Sequence, residues 1–435
     1  MSTSTLIMAV HAQEILDSRG NPTLTVTVEL GGGLQASASV PSGASTGANE
    51  AVELRDGDAS RYGGKGVRKA VVSVEQAIAD AVRGLDALDQ AALDHRLIDL
   101  DGTSNKARLG ANAMLGVSMA VARAAAAAQE LPLYAYLGGR GATLLPMPSM
   151  NVLNGGKHAD SGLDFQEFMI VPVGAPSFAE AMRFGAETYA ALRRLLRKDR
   201  LSTAVGDEGG FAPALPSNEA ACDYIVAAIE EAGYKPGVDV AIALDPAASS
   251  FGSNGSYYVG RNGGRIDRAG LLELYGRWIE TYPIVSIEDG FAEDDWQGFV
   301  DQNAAQGGQI QVMGDDITVT NPRFIQEAIE RKAMNAVLIK LNQIGTVTET
   351  VSAVNLCHRT GWKVMVSHRS GETIDSFIAD FAVATAAGQI KSGAPCRGER
   401  LAKYNRLMVI ERELGDKAVF ANPFANQPRL QERVQ

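Results

Sequence analysis

Apolar and polar residues alternate with a period of two over residues 22–30 (PTLTVTVEL) and again over 34–40 (LQASASV), the pattern of strands with one buried face. Glycines 31–33 between them predict the turn of a hairpin. Past a loop that reads PSGASTGANE, residues 66–84 and 105–129 predict helices. Roughly the first 135 residues therefore read as a short antiparallel sheet followed by helices, an α+β arrangement. The stretch GGRGATLLPMP, 138–148, is the expected boundary between an N-terminal domain of residues 1–137 and a C-terminal domain of residues 138–435.

Beyond the boundary the rhythm changes. Short apolar runs alternate with long helical stretches, and six runs end on a reactive side chain: AIALD at Asp245, IVSIE at Glu288, IQVMGD at Asp315, AVLIK at Lys340, KVMVSH at His368 and GQIK at Lys391. The intervals are 43, 27, 25, 28 and 23 residues, and the last four suit one strand plus one helix per unit. The long interval contains FGSNGSYYVGRNGG, 251–264, which reads as an inserted hairpin. Such a series forms a parallel sheet, either open or closed into a barrel. The barrel is favoured, because only closure gathers six reactive strand ends at one mouth.

Composition narrows the class. The chain has 435 residues, 46% hydrophobic and 21% charged, a soluble globular profile. A net charge of −11 argues against a nucleic-acid partner, which would need a basic face. Cys222, Cys357 and Cys396 are few, odd in number and widely spaced, as in a cytoplasmic protein with reduced thiols. The N-terminus, MSTSTLIMAVHAQE, has no basic start and no long apolar stretch, so no signal peptide is expected. Ala111–Ala128, the most apolar window, is alanine-rich and interrupted by Asn112 and Arg123. It reads as a buried helix rather than a membrane span.

The strand-end residues carry the chemistry. Alone, Lys340 reads as a lysine snorkelling to water; in a ring of six it reads as a functional group. Asp245, Glu288 and Asp315 would repel one another at one mouth unless a cation lay among them, and hard oxygen donors without His or Cys point to Mg²⁺. A lysine beside such an ion and beside a second lysine loses proton affinity and can serve as a base. Mg²⁺ with a lysine base suits removal of a proton next to a carboxylate. GDEGGF (206–211) and FQEFM (165–169) supply Glu208 and Glu167, either of which could be the general acid. SHRSGE (367–372) combines imidazole, guanidinium and hydroxyl, a set suited to phosphate. SGASTG (42–47) lacks the ending of a nucleotide-binding loop and reads as a lid carrying a hydroxyl ligand.

The motifs EILDSRGNPT, SGASTG, LGANA, GDEGGF, SIEDG, GDDITVTN, IKLNQIGTVTET, SHRSGET and GQIKSGAPCR run the length of the chain and resemble the enolase family. The resemblance implies an irregular eight-stranded barrel of ββαα(βα)₆ order beneath an N-terminal α+β cap. It implies conversion of 2-phosphoglycerate to phosphoenolpyruvate, with two Mg²⁺ per site, in a homo-oligomer, dimer or octamer. By motif, Asp245, Glu288 and Asp315 resemble the ligands of the first ion and Ser42 that of the second. Lys340 resembles the base, and Glu208 the acid, supported by Glu167. Arg369 and Ser370 resemble phosphate contacts and Lys391 a carboxylate contact; His158, Gln166 and His368 match pocket positions. The loops of Ser42 and His158 are expected to close over bound substrate. Lys157, Ser250 and Ile374 stand where the family varies or usually carries acids, away from these positions. An acid-sugar dehydratase or cycloisomerase of the same superfamily usually lacks the GDEGGF and SHRSGE pair. A purely binding protein would be expected to have lost a ligand or the base.

Overall fold

Leu24, Val26, Val28 and Leu30 are buried while Thr25, Thr27 and Glu29 between them are half-buried, so the strand Pro22–Leu30 alternates as its sequence predicts. In the computed structural model, which describes residues 4–43, 47–159, 161–260, 264–428 and 430, this strand is central in a three-stranded antiparallel sheet. It pairs with Gln35–Ser39, as expected, and with Ile7–Leu16, a strand the pattern did not predict. The expected helix at 66–84 runs from Arg68 to Val82 with a π-helical turn, Val74–Ile78, in the middle. The one expected at 105–129 is shorter, Ala111–Ala128. Before it lies an unanticipated helix, Gln90–Asp101, whose last carboxylate accepts from the backbone N–H groups of Thr103 (3.0 Å) and Leu109 (2.7 Å) and turns residues 102–110 into a loop.

Ala111–Ala128 lies on the sheet and is 83% buried, a core helix as its composition suggests. Its small residues set how closely it approaches. A Cβ at Gly116 would stand 2.5 Å from Val26 Cγ2 and 3.4 Å from Val40 Cγ2.

The remaining chain closes an eight-stranded barrel. Around it lie Ile284–Glu288, Gln311–Gly314, Ala336–Ile339, Lys363–Ser367, Gly388–Lys391, Met147–Asn154, Glu167–Val171 and Ala241–Asp245, which pairs back onto the first. Its order along the sequence is ββαα(βα)₆: two strands, the helices Phe178–Lys198 and Asn218–Glu231, then six strand–helix units. Six of these eight helices start on side chains that accept their free N–H groups: Ser177, Ser217, Asp267, Asp295, Asn321 and Thr346. The insert after Asp245 forms three short antiparallel strands rather than one hairpin; residues 261–263 of the expected hairpin lie outside the described residues.

Seven barrel strands are parallel, and Glu167–Val171 is antiparallel to both neighbours. Its first residue, Glu167, therefore stands opposite Asp245, the last residue of the next strand. Reversal brings Glu167 to the same mouth as the six predicted strand ends.

Gly116→Ala tests the helix–sheet contact by its sign. In an open helix the change would stabilise by about 1 kcal/mol. Here the added methyl meets a stiff β-branched side chain, so unfolding in urea should show a loss of about 1–3 kcal/mol. A gain would show that the helix can lift off Val26.

Candidate active site

The mouth of the barrel holds a pocket of about 270 Å³ lined by His158, Gln166, Glu167, Glu208, Asp245, Asp315, Lys340, Ser367, His368, Arg369, Ser370 and Lys391. Apart from Glu288 and Ser42, every residue expected from the sequence to bind substrate or metal or to act in catalysis is there. Glu288 lies against the pocket, where Lys391 Nζ donates to both of its carboxylate oxygens at 2.8 Å. The same ammonium donates to Asp245 at 3.2 Å and stands 3.4 Å from Glu167. Burial opposes the charge on Lys391, but Glu167, Glu288 and Asp245 outweigh it and hold the lysine well above its ordinary range. Burial and the neighbouring Asp245 push Glu288 well up, and Lys391 only partly offsets them.

Lys340 follows the strand Ala336–Ile339, and its backbone N–H is fixed by Thr320 Oγ1 at 2.9 Å. Its Nζ meets Asp315 Oδ2 at 2.5 Å. The sequence expectation of a neutral Lys340 applies beside a bound cation; in the free chain the balance is different. Burial favours the neutral amine, and Arg369 and Lys391 add to that, but Asp315 prevails and keeps the proton on. Asp315 is matched on its other oxygen by Gln343 Nε2 at 2.9 Å. Asp289, with a left-handed φ of 42°, accepts from the backbone N–H groups of Asp315 (2.8 Å) and Asp316 (2.9 Å). That strained turn sets the direction of the Asp315 carboxylate.

Glu208 and Glu167 form the other part of the site. GDEGGF packs against the strand Met147–Asn154 because its glycines lack side chains: a Cβ on Gly210 would meet Asn154 Oδ1 at 2.1 Å, and one on Gly206 would meet Asn154 Nδ2 at 2.6 Å. Glu208 receives Asn151 Nδ2 at 3.0 Å and stands 3.4 Å from His368 Nε2. Burial would raise Glu208, but His368 and His158 beside it, with Arg400 behind, hold it well below its ordinary value. Glu167 moves the other way, pushed well up by burial and then by Glu208. The two carboxyls therefore titrate as a coupled pair, with burial favouring the proton on Glu167 and the neighbouring rings and Arg400 favouring charge on Glu208. Both imidazoles are kept neutral by burial, His368 down to about 3, so they support Glu208 as polar rings rather than as cations.

Arg369 is paired with Glu50 at 2.9 and 3.1 Å and with Asn342 at 3.0 Å. Ser370 Oγ bonds His158 Nε2 at 3.1 Å. Ser42 stands apart from the acids of the barrel mouth. Its hydroxyl donates to Asp17 at 2.7 Å and accepts from Arg19 at 3.1 Å, and its backbone pairs with Gly371. The loop expected to move as a lid is thus anchored at Ser42, and its residues 44–46 lie outside the described residues. His158, on the second expected lid, is buried in the pocket wall. Lys157, Ser250 and Ile374 are exposed.

The donor set fits a divalent cation. Ligand atoms of Asp289, Asp315 and Asp316, and of His158, Glu167 and Glu208, lie within 4.8 Å of one another. Asp245, Glu288 and Asp315 instead carry lysine ammonium groups, which supply the neutralising charge a hard cation would bring. Glu167 Oε2, Gln166 Oε1, His158 Nδ1 and His368 Nε2 are buried without a hydrogen-bond partner, polar groups waiting on a small charged ligand. The sequence reading missed Gln343, Asn151, Glu50 and Arg400. Gln343 had a signal, one helical turn after Lys340, and so did Asn151, a polar residue in an apolar strand.

Fold and site together define an α/β-barrel enzyme class in which buried acids and lysines share one capped mouth. Residues 7–137 match the family model described as Enolase, N-terminal domain, and residues 142–428 match Enolase, C-terminal TIM barrel domain. The chain is 63% identical to Enolase 1 of Methylococcus capsulatus over 415 residues (95% of this chain, 99% of that one). It is 59% identical to the enolase of Desulfotalea psychrophila over 420 residues (96% and 99%) and 56% identical to that of Rubrobacter xylanophilus over 428 (98% and 100%). The chain belongs to the enolase family.

The acid cluster predicts how stability depends on pH. Burial, and then Asp315, raise Asp316 to about 7, and burial, helped by neighbouring acids, raises Glu288 and Asp289 well up. A carboxyl that binds its proton more tightly folded than unfolded stabilises the fold fully below its unfolded pKa, about 4, and that stability is lost as pH rises through the folded value. Above about pH 6.5, where the buried neutral His158 and His368 no longer add a dependence of their own, metal-stripped protein should therefore melt lower at about pH 8.5 than at about pH 7, and added Mg²⁺ should raise Tm more at the higher pH. A cation effect that shrank as pH rose would contradict this account.

Proposed function

We propose that this chain catalyses the reversible loss of water from 2-phosphoglycerate to give phosphoenolpyruvate, a step of glycolysis, with Lys340 and the Glu208–Glu167 pair on opposite sides of the reacting carbons. The observation that carries the reading is the barrel order. The strand leading to Lys340 and the strand beginning at Glu167 are four places apart in a closed ring of eight, so base and acid face each other across the mouth. Elimination needs that division, because one group must take hydrogen from C2 while another protonates the hydroxyl leaving C3.

Asp245, Glu288 and Asp315 are the residues that would hold Mg²⁺, with Ser42 the hydroxyl offered to a second ion. Bound there, Mg²⁺ supplies positive charge for the substrate carboxylate as C2 loses its proton. Were Asp315 engaged as a ligand, Lys340 would lose the counter-ion that holds its proton, and its remaining cationic neighbours, Arg369 and Lys391, would favour the neutral amine that a base requires. Lys340 Nζ takes the C2 proton and the C–H electron pair is delocalised into the substrate carboxylate; in a second step that pair forms the C2=C3 bond as the C3–O bond breaks. A proton from the coupled Glu167 and Glu208 leaves with that oxygen as water. Arg369, Ser370 and His158 suit the phosphate, with Glu50 exchanged for it on Arg369; Lys391 suits the carboxylate, and Gln166 and His368 complete the wall. We further propose a cytoplasmic setting, supported by the free thiols of Cys222, Cys357 and Cys396. Self-association as a dimer or octamer is supported by Met8 and Leu16, exposed on the edge strand Ile7–Leu16.

Hydrogen exchange at C2 in deuterated water separates the two roles. Lys340→Ala should lose both exchange and turnover. Glu208→Gln should lose turnover and keep measurable exchange, because the base remains. Each loss of turnover should be about 10²–10⁴-fold. Exchange that persisted in Lys340→Ala would assign the base elsewhere.

A further inference from the structure

Arg400 lies on the helix Gly398–Leu414, behind the pocket, and is 0% exposed. A buried guanidinium normally meets a carboxylate. This one has a single ion-pair contact among the described residues, Glu399 Oε1 at 3.6 Å from Nε, which is beyond hydrogen-bond reach. Its terminal nitrogens go elsewhere. Nη1 donates to His368 Nδ1 at 2.6 Å and to the carbonyl of Arg369 at 2.5 Å; Nη2 donates to the carbonyls of Ser370 at 2.5 Å and Asp207 at 3.0 Å. Asp207 adjoins Glu208, and Arg369 and Ser370 form the pocket's anion-binding corner.

A guanidinium has only donors and does not give up its proton in proteins, so His368 Nδ1 must be an acceptor. A neutral imidazole accepting at Nδ1 carries its one proton on Nε2, the nitrogen 3.4 Å from Glu208 Oε2. The opposite tautomer would set N–H against N–H at Arg400 and turn a lone pair toward the carboxylate. We infer that Arg400 is a positioning residue: it fixes His368 as the Nε2–H tautomer facing Glu208 and clamps the Asp207–Glu208 loop to the Arg369–Ser370 loop. Its effect on turnover rests on the reaction proposed above, whereas its effect on the tautomer does not.

The test is nitrogen NMR of the full-length protein labelled with ¹⁵N-histidine, with the His368 signals assigned by their loss in His368→Gln. With five histidines in the chain the spectrum is sparse enough to assign. At neutral pH, Nδ1 of His368 should appear unprotonated and Nε2 protonated. In Arg400→Met the ring should become a mixture of tautomers, and kcat should fall about tenfold or more, since an imidazole in the wrong tautomer can cost up to about 10⁴. Arg400→Lys, which keeps a donor for Nδ1, should retain the Nε2–H form and recover part of the turnover. A wild-type His368 protonated on Nδ1, or on both nitrogens, would overturn the inference, as would an unchanged tautomer in folded Arg400→Met. If Arg400→Met does not fold, the wild-type and Arg400→Lys spectra decide by the same criterion. The expected tautomers in a protein that does not dehydrate 2-phosphoglycerate would uphold this inference and refute the reaction.

Discussion

The charge of Lys391 among Glu167, Asp245 and Glu288 is the interaction on which the rest of the mouth depends. Closing the barrel forces acids from several strands into one buried space. Two like charges about 4 Å apart cost about 4 kcal/mol at the effective dielectric of a protein, a large part of a domain's whole stability of about 5–15 kcal/mol. The acids must therefore be neutralised in every state of the protein. In the free chain Lys340 does this for Asp315, Lys391 offsets part of the charge of three acids, and a raised proton affinity at Glu167 and Glu288 supplies the rest. The same acids are the ones a divalent cation would engage, so the charge balance that lets the barrel fold is also the one a bound cation would alter.

Geometry elsewhere serves that balance. The reversed strand brings Glu167 to the rim from its first residue, so the acid pair is assembled without a long loop. The glycines of GDEGGF let Glu208 approach Asn151, and Tyr189 holds the turn from behind by donating to Gly209 O at 2.6 Å while stacking on Phe211. Such support matters because displacement of a reacting group by about 1 Å can cost roughly 10²-fold in rate.

The N-terminal sheet and helices act on the site by holding its loops. Arg123 makes two bonds of 2.6 Å to Asp375, which also receives the Ser39 backbone N–H at 2.9 Å. Ser42 pairs with Gly371, and Asp94 accepts from the N–H of Thr348 at 2.9 Å, near the start of a barrel helix. These contacts join residues more than 200 positions apart in the sequence. They carry the segment bearing Glu50 to Arg369, which pairs with its carboxylate at 2.9 and 3.1 Å.

By itself the sequence determined the alternation of Pro22–Leu30, the buried alanine helix, the repeated strand-and-helix units and the reactive residue at each strand end. These are local properties, set by period, propensity and the short reach of one turn, and so they survive as pattern in a linear chain. It did not reveal the strand Ile7–Leu16 or the helix Gln90–Asp101, whose polar residues blur their periods. Protonation was also out of its reach. Lys340 reads as a neutral amine until Asp315 is seen at 2.5 Å, and the opposite pulls on Glu208 and Glu167 emerge only when their surroundings are compared. Arg400 carried no local signal at all, since its partners lie at Asp207 and at 368–370. Only the tertiary structure could decide these things, because a pKa and a tautomer depend on burial and on charges within a few ångströms, and folding chooses those neighbours from distant parts of the chain.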